Sequence, residues 1–399
     1  MQINVLHMSH FEIRYGAEKQ LLDYLFLADQ SPNEISHHVC ALRLSSSIHN
    51  ELKRMNIPLF ITKLWPWNVA ELRAFVKKHN IHILHVHNQL RFPLRSRILP
   101  KLAGIPLILE HEHGMIWNTS STRFIKCTNH LVNANICNSN AAKIMLKHKC
   151  DIDAQVIYNG IALPTETKDK PQQLKMKLGL PPNTPIAGFV GRLNNPKGSE
   201  AFIRMIPLVK NALPQARFVL VGDGPMRSSL EAEAKDLNIQ DQVFFMGYQK
   251  DAHLLMEDMD VVVVPSFREA FGNVVIEAAL AKKPVIASNV DGLAETIIDG
   301  ETGFLIDCTE PIISRTKGTN RLPQSVVDGR THTLRSPYLP NTAMLAEKVA
   351  ACLQNPEMSS LLGSQAYLRA KSLFSLERYR MDLDNKYREL VSANQLSSH

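Results

Sequence analysis

The chain has 399 residues, 45% hydrophobic and 21% charged, a balance that fits a globular protein and excludes a disordered or fibrous one. This length exceeds one ordinary core and suits two domains, and no apolar run approaches the roughly 20 residues that a membrane span requires. The net charge of +7 is uneven: residues 1–165 hold 18 Lys+Arg against 11 Asp+Glu, whereas residues 166–399 hold 27 of each. Thirteen of the 16 histidines also lie in the first part, and a basic part beside a neutral one points to an anionic partner such as phosphate, a membrane surface or nucleic acid.

The N-terminal Met1-Gln-Ile-Asn-Val-Leu-His-Met-Ser9 has no basic leader and reads as the first strand of the fold, not a secretion signal. Apolar runs then predict strands at Ile3–Met8, His37–Leu44, Pro58–Leu64, Ile83–His87, Pro106–Glu110, Val132–Asn138 and Ala154–Tyr158. Helical patterns fall between them, for example Ala17–Ala28 and Asn68–His79. Runs without alternation are those of strands buried on both faces of a parallel sheet. A polar stretch bracketed by Pro164 and Pro171 reads as a linker. The alternation restarts with strands at Ile186–Val190, Arg217–Val221, Val243–Met246, Val261–Pro265, Val285–Ala287 and Gly303–Asp307, and with helices such as Ser199–Ala212 and Asn273–Ala281. The fold class is therefore α/β, with two doubly wound domains. Residues 1–165 form the first and residues 172–375 the second, and the final helix, about 376–399, is expected to pack back on the first. The default ligand site of such a pair is the cleft between them. Cys308–Pro340 breaks the pattern, with four prolines and five basic residues, and reads as an irregular loop. Six cysteines without a C-x-x-C pair suggest buried thiols in a reducing cytosol.

The strongest chemical signal is Val261-Val-Val-Val-Pro-Ser-Phe-Arg-Glu269-Ala-Phe-Gly-Asn-Val-Val-Ile-Glu277. A strand ends, a loop carries Glu269 and Gly272, and a helix begins near Asn273, a plausible N-cap. Helix N-terminal N–H groups beside a glycine make an anion site, and two carboxylates can accept bonds from hydroxyls. Diphosphate on one side and sugar hydroxyls on the other are the needs of a nucleotide sugar, although a solvated helix start rich in acid would look the same. Gly188-Phe-Val-Gly191-Arg192-Leu-Asn-Asn-Pro-Lys197-Gly198 is a second strand-loop-helix unit, in which Arg192 as a fork and Lys197 as a point charge could clamp a diphosphate. Val221-Gly-Asp-Gly-Pro225 is a third turn of this kind.

With these motifs the chain resembles family 4 of the retaining glycosyltransferases, which have the GT-B fold. The E-x7-E motif is Glu269 to Glu277, and the G-R-L…K-G motif is Gly191-Arg192-Leu193 to Lys197-Gly198. Val243-Phe-Phe-Met-Gly247, Tyr15-Gly16-Ala17-Glu18, His85-Val-His87-Asn88, Glu112-His113-Gly114 and Ile157-Tyr-Asn159-Gly160 resemble further landmarks. The resemblance implies that Arg192 and Lys197 bind the donor diphosphate, Glu277 the ribose and Glu269 the hydroxyls of the transferred sugar. It implies N–H groups around Phe271, Gly272 and Asn273 at sugar or phosphate, Gly16 near the phosphates, His113 near the reacting sugar, and Met246, Gly247 and Tyr248 beside the base. It implies retention of configuration with no metal or other cofactor, the leaving charge being stabilised electrostatically. Three departures stand out. Tyr15 replaces a second glycine, Glu269-Ala-Phe-Gly272 replaces E-G-F-G, and Cys308–Pro340 is roughly 30 residues longer than the family's connection.

The expected function is transfer of a hexose or N-acetylhexosamine from a nucleotide sugar, with UDP the expected carrier, to a glycan or lipid-linked acceptor in cell-surface polysaccharide or lipopolysaccharide synthesis. Alternatives are a sugar-nucleotide epimerase of the same fold and a soluble transferase with a small acceptor. Arg91, Arg95, Arg97 and Lys101, interleaved with apolar residues, suggest either a solvated helix face or a segment resting on an anionic membrane, so the protein is expected to be cytoplasmic and peripheral on the inner face. No nucleic-acid motif is present, so none is expected as partner. The D-x-D triplets Asp151/Asp153, Asp258/Asp260 and Asp382/Asp384 lie away from the donor turns and are not read as metal sites. His85 and His87 share a strand face near His111 and His113, but no carboxylate or thiolate pattern supports a metal there.

Overall fold

The computed structural model describes residues 2–12, 16–88, 92–117, 122–163, 173–312 and 322–396. It divides into two compact units: residues 1–162 with 374–399, and residues 163–373.

The first unit holds a seven-stranded parallel sheet in the order β3-β2-β1-β4-β5-β6-β7. Its strands are β1 (Ile3–Phe11), β2 (Ile35–Leu44), β3 (Leu59–Ile61), β4 (Ile83–His87), β5 (Leu107–Glu112), β6 (Ala134–Cys137) and β7 (Gln155–Val156). Side-chain alternation splits them between two cores. Leu6, Met8, Leu84, Val86 and Ile108 face one way. Val5, Ile35, Val39, Ile83, Leu109 and Ile136 face the other. Over that second face lie the helices Ala17–Gln30 and Leu376–Leu396. The latter contributes Leu376, Tyr379, Leu383, Tyr387, Leu390 and Val391, a stripe at helical spacing.

The second unit holds a six-stranded parallel sheet in the order β10-β9-β8-β11-β12-β13. Its strands are β8 (Ile186–Val190), β9 (Arg217–Val221), β10 (Val243–Gly247), β11 (Val261–Val264), β12 (Val285–Ser288) and β13 (Gly303–Ile306). Val261 and Val263 enter one core while Val262 and Val264 enter the other, so the unbroken valine run is a strand covered on both faces.

The described parts of residues 308–340 hold short strands where an irregular loop was expected. The strands β14 (Cys308–Glu310) and β17 (Leu339–Pro340) pair antiparallel, as do β15 (Val326–Val327) and β16 (Leu334–Arg335). Arg315, Lys317 and Arg321 of this stretch, and the expected linker between Pro164 and Pro171, lie outside the described residues.

Candidate functional site

In the second domain the strand-to-helix loops are sewn together by backbone hydrogen bonds. Gly191 N–H donates to Val221 O (2.9 Å), Gly222 N–H to Gly247 O (2.9 Å), Leu193 N–H to Asp223 O (3.0 Å) and Phe267 N–H to Pro196 O (3.1 Å). This approach requires glycine: a Cβ on Gly198, at φ 64°, would stand 1.9 Å from Pro265 O. The sequence thus brings the loop after β8 against the loop after β11, and with it two charged side chains. The Lys197 ammonium pairs with the Glu269 carboxylate, and both groups remain partly open to solvent. Arg192 is exposed on the same loop as Lys197, and among the described residues its guanidinium has no hydrogen-bond or ion-pair partner.

The helix Asn273–Leu280 starts one residue earlier in capping terms than expected. Gly272, at φ 97°, is the N-cap, and Asn273 is already helical. The left-handed backbone of the cap is a conformation that glycine adopts at little cost. Phe271 is buried, so what it can offer a ligand is its main chain, while Asn273 and Glu277 are partly open. Gly247, at φ 65°, accepts the Gly222 hydrogen bond beside an exposed Tyr248. Lys197 and Glu269 are therefore in direct contact, and Arg192 and Gly247 lie on the same network of loops.

One residue behind this network was not singled out from the sequence. Asp291, buried and at φ 48°, accepts the Glu269 N–H at Oδ2 (3.2 Å) and the Val327 N–H at Oδ1 (2.7 Å), and donates its own N–H to Val327 O (2.8 Å). Burial pushes its carboxyl up to about 8, against the pull of those two N–H groups; the Glu269 carboxylate adds to the rise. Asp291 thus links Val327, within the 308–340 stretch, to the main chain of Glu269. Nothing near Asp291 in the sequence signals this, because its partner is 36 residues away.

Gly16 and His113 belong to the first domain. Gly16, at φ 51°, precedes the helix Ala17–Gln30, and Tyr15 lies outside the described residues. The His113 main chain is clamped on both sides: its N–H donates to Asn88 Oδ1 (2.9 Å) and its carbonyl accepts from Asn138 Nδ2 (2.6 Å). Its ring meets a run of histidines, buried except for the half-buried His37. His113 Nε2 contacts His87 Nδ1 (2.9 Å), His87 Nε2 contacts His7 Nδ1 (3.3 Å), and His7 Nε2 contacts His37 Nδ1 (3.1 Å). His85 Nδ1 instead meets the Tyr387 hydroxyl at 2.6 Å. Burial holds His7, His85, His87 and His111 well below the usual imidazole range, and takes His37 and His113 down to about 3. The rings are therefore neutral. Two groups, His7/His85/His87 and His87/His111/His113, bring ring nitrogens within 4.8 Å of one another, close enough for three ligands of one metal ion. His7 and His37 were not anticipated as members; their only signal was that they share a strand face with core residues. His82 stands apart, accepting the Asn4 N–H at Nδ1.

The basic stretch 91–101 needs correction as a uniform solvated or membrane-facing surface. Arg97 is 0% exposed and forked onto Glu110 (2.8 and 2.6 Å), with further bonds to Ile125 O and Thr128 Oγ1. Lys101 donates to Pro106 O (2.6 Å), and Arg91 lies outside the described residues. Arg95 lies over aromatic rings, 4.8 Å from Trp65 and 5.9 Å from Phe92. Cys127 is exposed, contrary to the expectation of buried thiols, and the other five cysteines are buried. The D-x-D carboxylates are engaged locally: Asp151 and Asp153 with lysines, Asp258 and Asp260 with the N–H groups of Leu174 and Ile186, Asp382 with Arg378, and Asp384 with Tyr24 and Asn33.

Comparison with known proteins agrees with this division. The family model described as Glycosyltransferase Family 4 matches residues 27–163, and the one described as glycosyl transferases group 1 matches residues 171–314. A UDP-Gal:alpha-D-GlcNAc-diphosphoundecaprenol alpha-1,3-galactosyltransferase of Escherichia coli is 27% identical over 266 residues, 61% of this chain and 67% of that protein. A D-inositol 3-phosphate glycosyltransferase of Corynebacterium diphtheriae is 34% identical over 156 residues, 37% of this chain and 36% of the relative, so the chain spans only about a third of that protein's length. Among solved structures, Anabaena HepE in complex with UDP and glucose superposes with a TM-score of 0.75 at 21% identity, covering 97% of this chain and 100% of that one. WaaG, a glycosyltransferase involved in lipopolysaccharide biosynthesis, gives 0.65 at 15% identity, covering 95% and 98%. These likenesses show the GT-B fold.

Proposed function

The chain belongs to the glycosyltransferases of family 4, and on that premise we propose that it is a retaining, metal-independent enzyme that moves a hexose or N-acetylhexosamine from a UDP-sugar to a lipid-linked or glycan acceptor. The observation that carries the donor site is the Lys197–Glu269 pair, held on glycine-tight loops with Arg192, unpartnered among the described residues, on the same loop. In this reading Arg192 and Lys197 take the diphosphate, neutralising the charge that develops as the sugar–phosphate bond breaks. Glu269 orients the sugar hydroxyls, Glu277 the ribose, and the N–H groups at Gly272 and Asn273 receive an oxygen. Lys197 and Glu269 satisfy one another until the ligand arrives, which keeps two partly buried charges paired. Support for UDP and for a lipid-linked acceptor comes from the E. coli relative, which is named for both.

Arg192→Ala or Lys197→Ala each removes a charged hydrogen bond of roughly 1.5–3 kcal/mol, which lowers turnover on the order of 10–100-fold. Glu277→Ala weakens nucleotide binding, and Glu269→Ala weakens transfer. Nucleoside diphosphate is released only when acceptor is present, and chelator leaves the rate unchanged. Wild-type rates in all four variants would remove the site assignment, release without acceptor would favour an epimerase-like reaction, and loss with EDTA restored by magnesium or manganese would remove metal independence.

Work at an anionic membrane surface is part of the same proposal. Its support is a contiguous exposed patch in the first domain: Trp65 and Trp67 stack at 5.4 Å, Arg95 lies between Trp65 and Phe92, and Trp67 is 72% exposed. Tryptophan and arginine side by side suit the headgroup layer. No described helix is long and apolar enough to cross a membrane. The protein pellets with phosphatidylglycerol vesicles, is released by salt, and ignores neutral vesicles; Trp67→Ser with Arg95→Gln abolishes pelleting. Equal recovery with both vesicle types would leave a diffusible acceptor.

A further inference from the structure

The buried histidines of the first domain form an ordered sequence of contacts. His37, on β2, is partly exposed; His7, on β1, and His87, on β4, are sealed from solvent; His113 follows β5 and is buried. The three contacts between them run Nδ1 to Nε2 at 3.1, 3.3 and 2.9 Å, within or close to hydrogen-bond length. A neutral imidazole has one N–H and one bare nitrogen. Each contact needs one proton between its two nitrogens, so every ring must point the same way along the row.

We propose that His37, His7, His87 and His113 form one directional chain whose direction decides whether His113 Nδ1 carries a proton. In one direction His37 Nδ1–H donates to His7 Nε2, His7 Nδ1–H to His87 Nε2, and His87 Nδ1–H to His113 Nε2, which leaves His113 with its proton on Nδ1. In the other direction His113 Nε2–H donates to His87 Nδ1, His87 Nε2–H to His7 Nδ1, and His7 Nε2–H to His37 Nδ1. His113 Nδ1 is then bare, and His37 carries its proton on Nε2. Four protons serve four rings in both states, and no charge is created. Moving from the first state to the second takes one proton from His113 Nδ1, adds one at His37 Nε2 and shifts the three between. His113 Nδ1 is a buried atom without a hydrogen-bond partner among the described residues, the end of the chain at which a ligand oxygen would donate or accept. His7, His37 and His87 are positioning residues that act through His113. The link to turnover rests on the reading that His113 lies near the reacting sugar; the tautomer does not.

His85 and His111 are beside the chain and not in it. His85 is bonded to Tyr387, and His111 stacks on His113 with ring centres 3.6 Å apart. A metal ion in either histidine triad would take a His87 nitrogen from the chain, so the two arrangements exclude each other.

The test uses full-length protein labelled with 15N-histidine, without substrate, because ring-nitrogen shifts separate protonated from bare nitrogens. His113 is assigned by the signals lost in His113→Gln. In the wild type, His113 shows a single tautomer. His7→Phe cuts the chain, leaves His87 and His113 as a pair free to point either way, and moves the His113 signals to averaged values. His37→Phe, at the partly exposed end, moves them in the same sense by less, and serves where His7→Phe does not fold. His85→Phe leaves them in place. An unchanged His113 tautomer in a folded His7→Phe or His37→Phe protein overturns the proposal, as does a stoichiometric transition metal in the wild type by elemental analysis. Loss of sugar transfer in His113→Gln is a separate measurement, so the chain and the enzymatic reading can fail independently.

Discussion

Both domains gather polar side chains on a parallel sheet, but by opposite means. In the second domain they are charged, partly solvated and carried on loops, where Lys197 and Glu269 meet because glycines allow two neighbouring loops to touch. In the first they are neutral, buried and carried largely on the strands, where histidines replace aliphatic residues on a core face under the helix Leu376–Leu396. A buried neutral imidazole is stable only while it stays unprotonated, so burial ties the first domain's core to acid.

Acidification gives the largest contrast. Burial lowers the folded-state values of His7, His37, His85, His87, His111 and His113 below the ordinary 6.5. Their contribution is present above that value and is lost as pH falls, because the unfolded chain then binds protons that the fold does not. The six rings sit on one core and act in the same direction, which makes this the largest expected effect. The first domain is expected to lose stability as pH falls below about 6.5 while the second changes less, as read by hydrogen exchange resolved by domain. Simultaneous loss of both would break the comparison.

Arg97→Ala is next. It strands Glu110 in a dry core and should cost the first domain roughly 3–5 kcal/mol, whereas truncating a solvent-open charge in the second, as in Arg192→Ala, should leave its melting unchanged. Thermal scans of both variants check this, and a first domain indifferent to Arg97→Ala would mean that the buried fork adds nothing.

Asp291→Asn is the smallest change. Asp291, raised to about 8 from 3.8, contributes stability below the ordinary carboxyl range that is lost as pH rises toward 8, the reverse of the histidines. Asparagine matches the neutral acid in shape and gives up one acceptor, about 1 kcal/mol. The second domain's decline between pH 4 and pH 8 should flatten, as followed by chemical denaturation across that range. An unchanged slope would mean that Asp291 is ionised throughout.

Local chemistry made the second domain's candidate site legible. Strand, glycine turn and helix start occupy consecutive positions in Gly191–Gly198 and in Glu269–Glu277, so spacing alone predicts where the charges emerge. The strand positions were equally legible: Ile83–His87, Ile186–Val190 and Arg217–Val221 are observed with the bounds that their apolar runs predict. Strands buried on both faces must be continuously apolar, and that requirement is written in consecutive residues.

What the sequence determined, then, was everything set by neighbours along the chain: the alternation, the two sheets, and the loops with their charges. Tertiary structure alone decided which of 13 first-part histidines meet, since His7, His37, His87 and His113 come from four separate segments and are joined by strand order and register. It also decided that Arg97 is sealed against Glu110 while Arg95 lies over exposed aromatic rings, although both sit in the same basic stretch. It placed Asp291 between Glu269 and Val327, across an intervening strand. The reason is common to all three. Burial and partner depend on distances between residues far apart in the chain, and a side chain's charge state follows from its burial and partner, not from its neighbours in sequence.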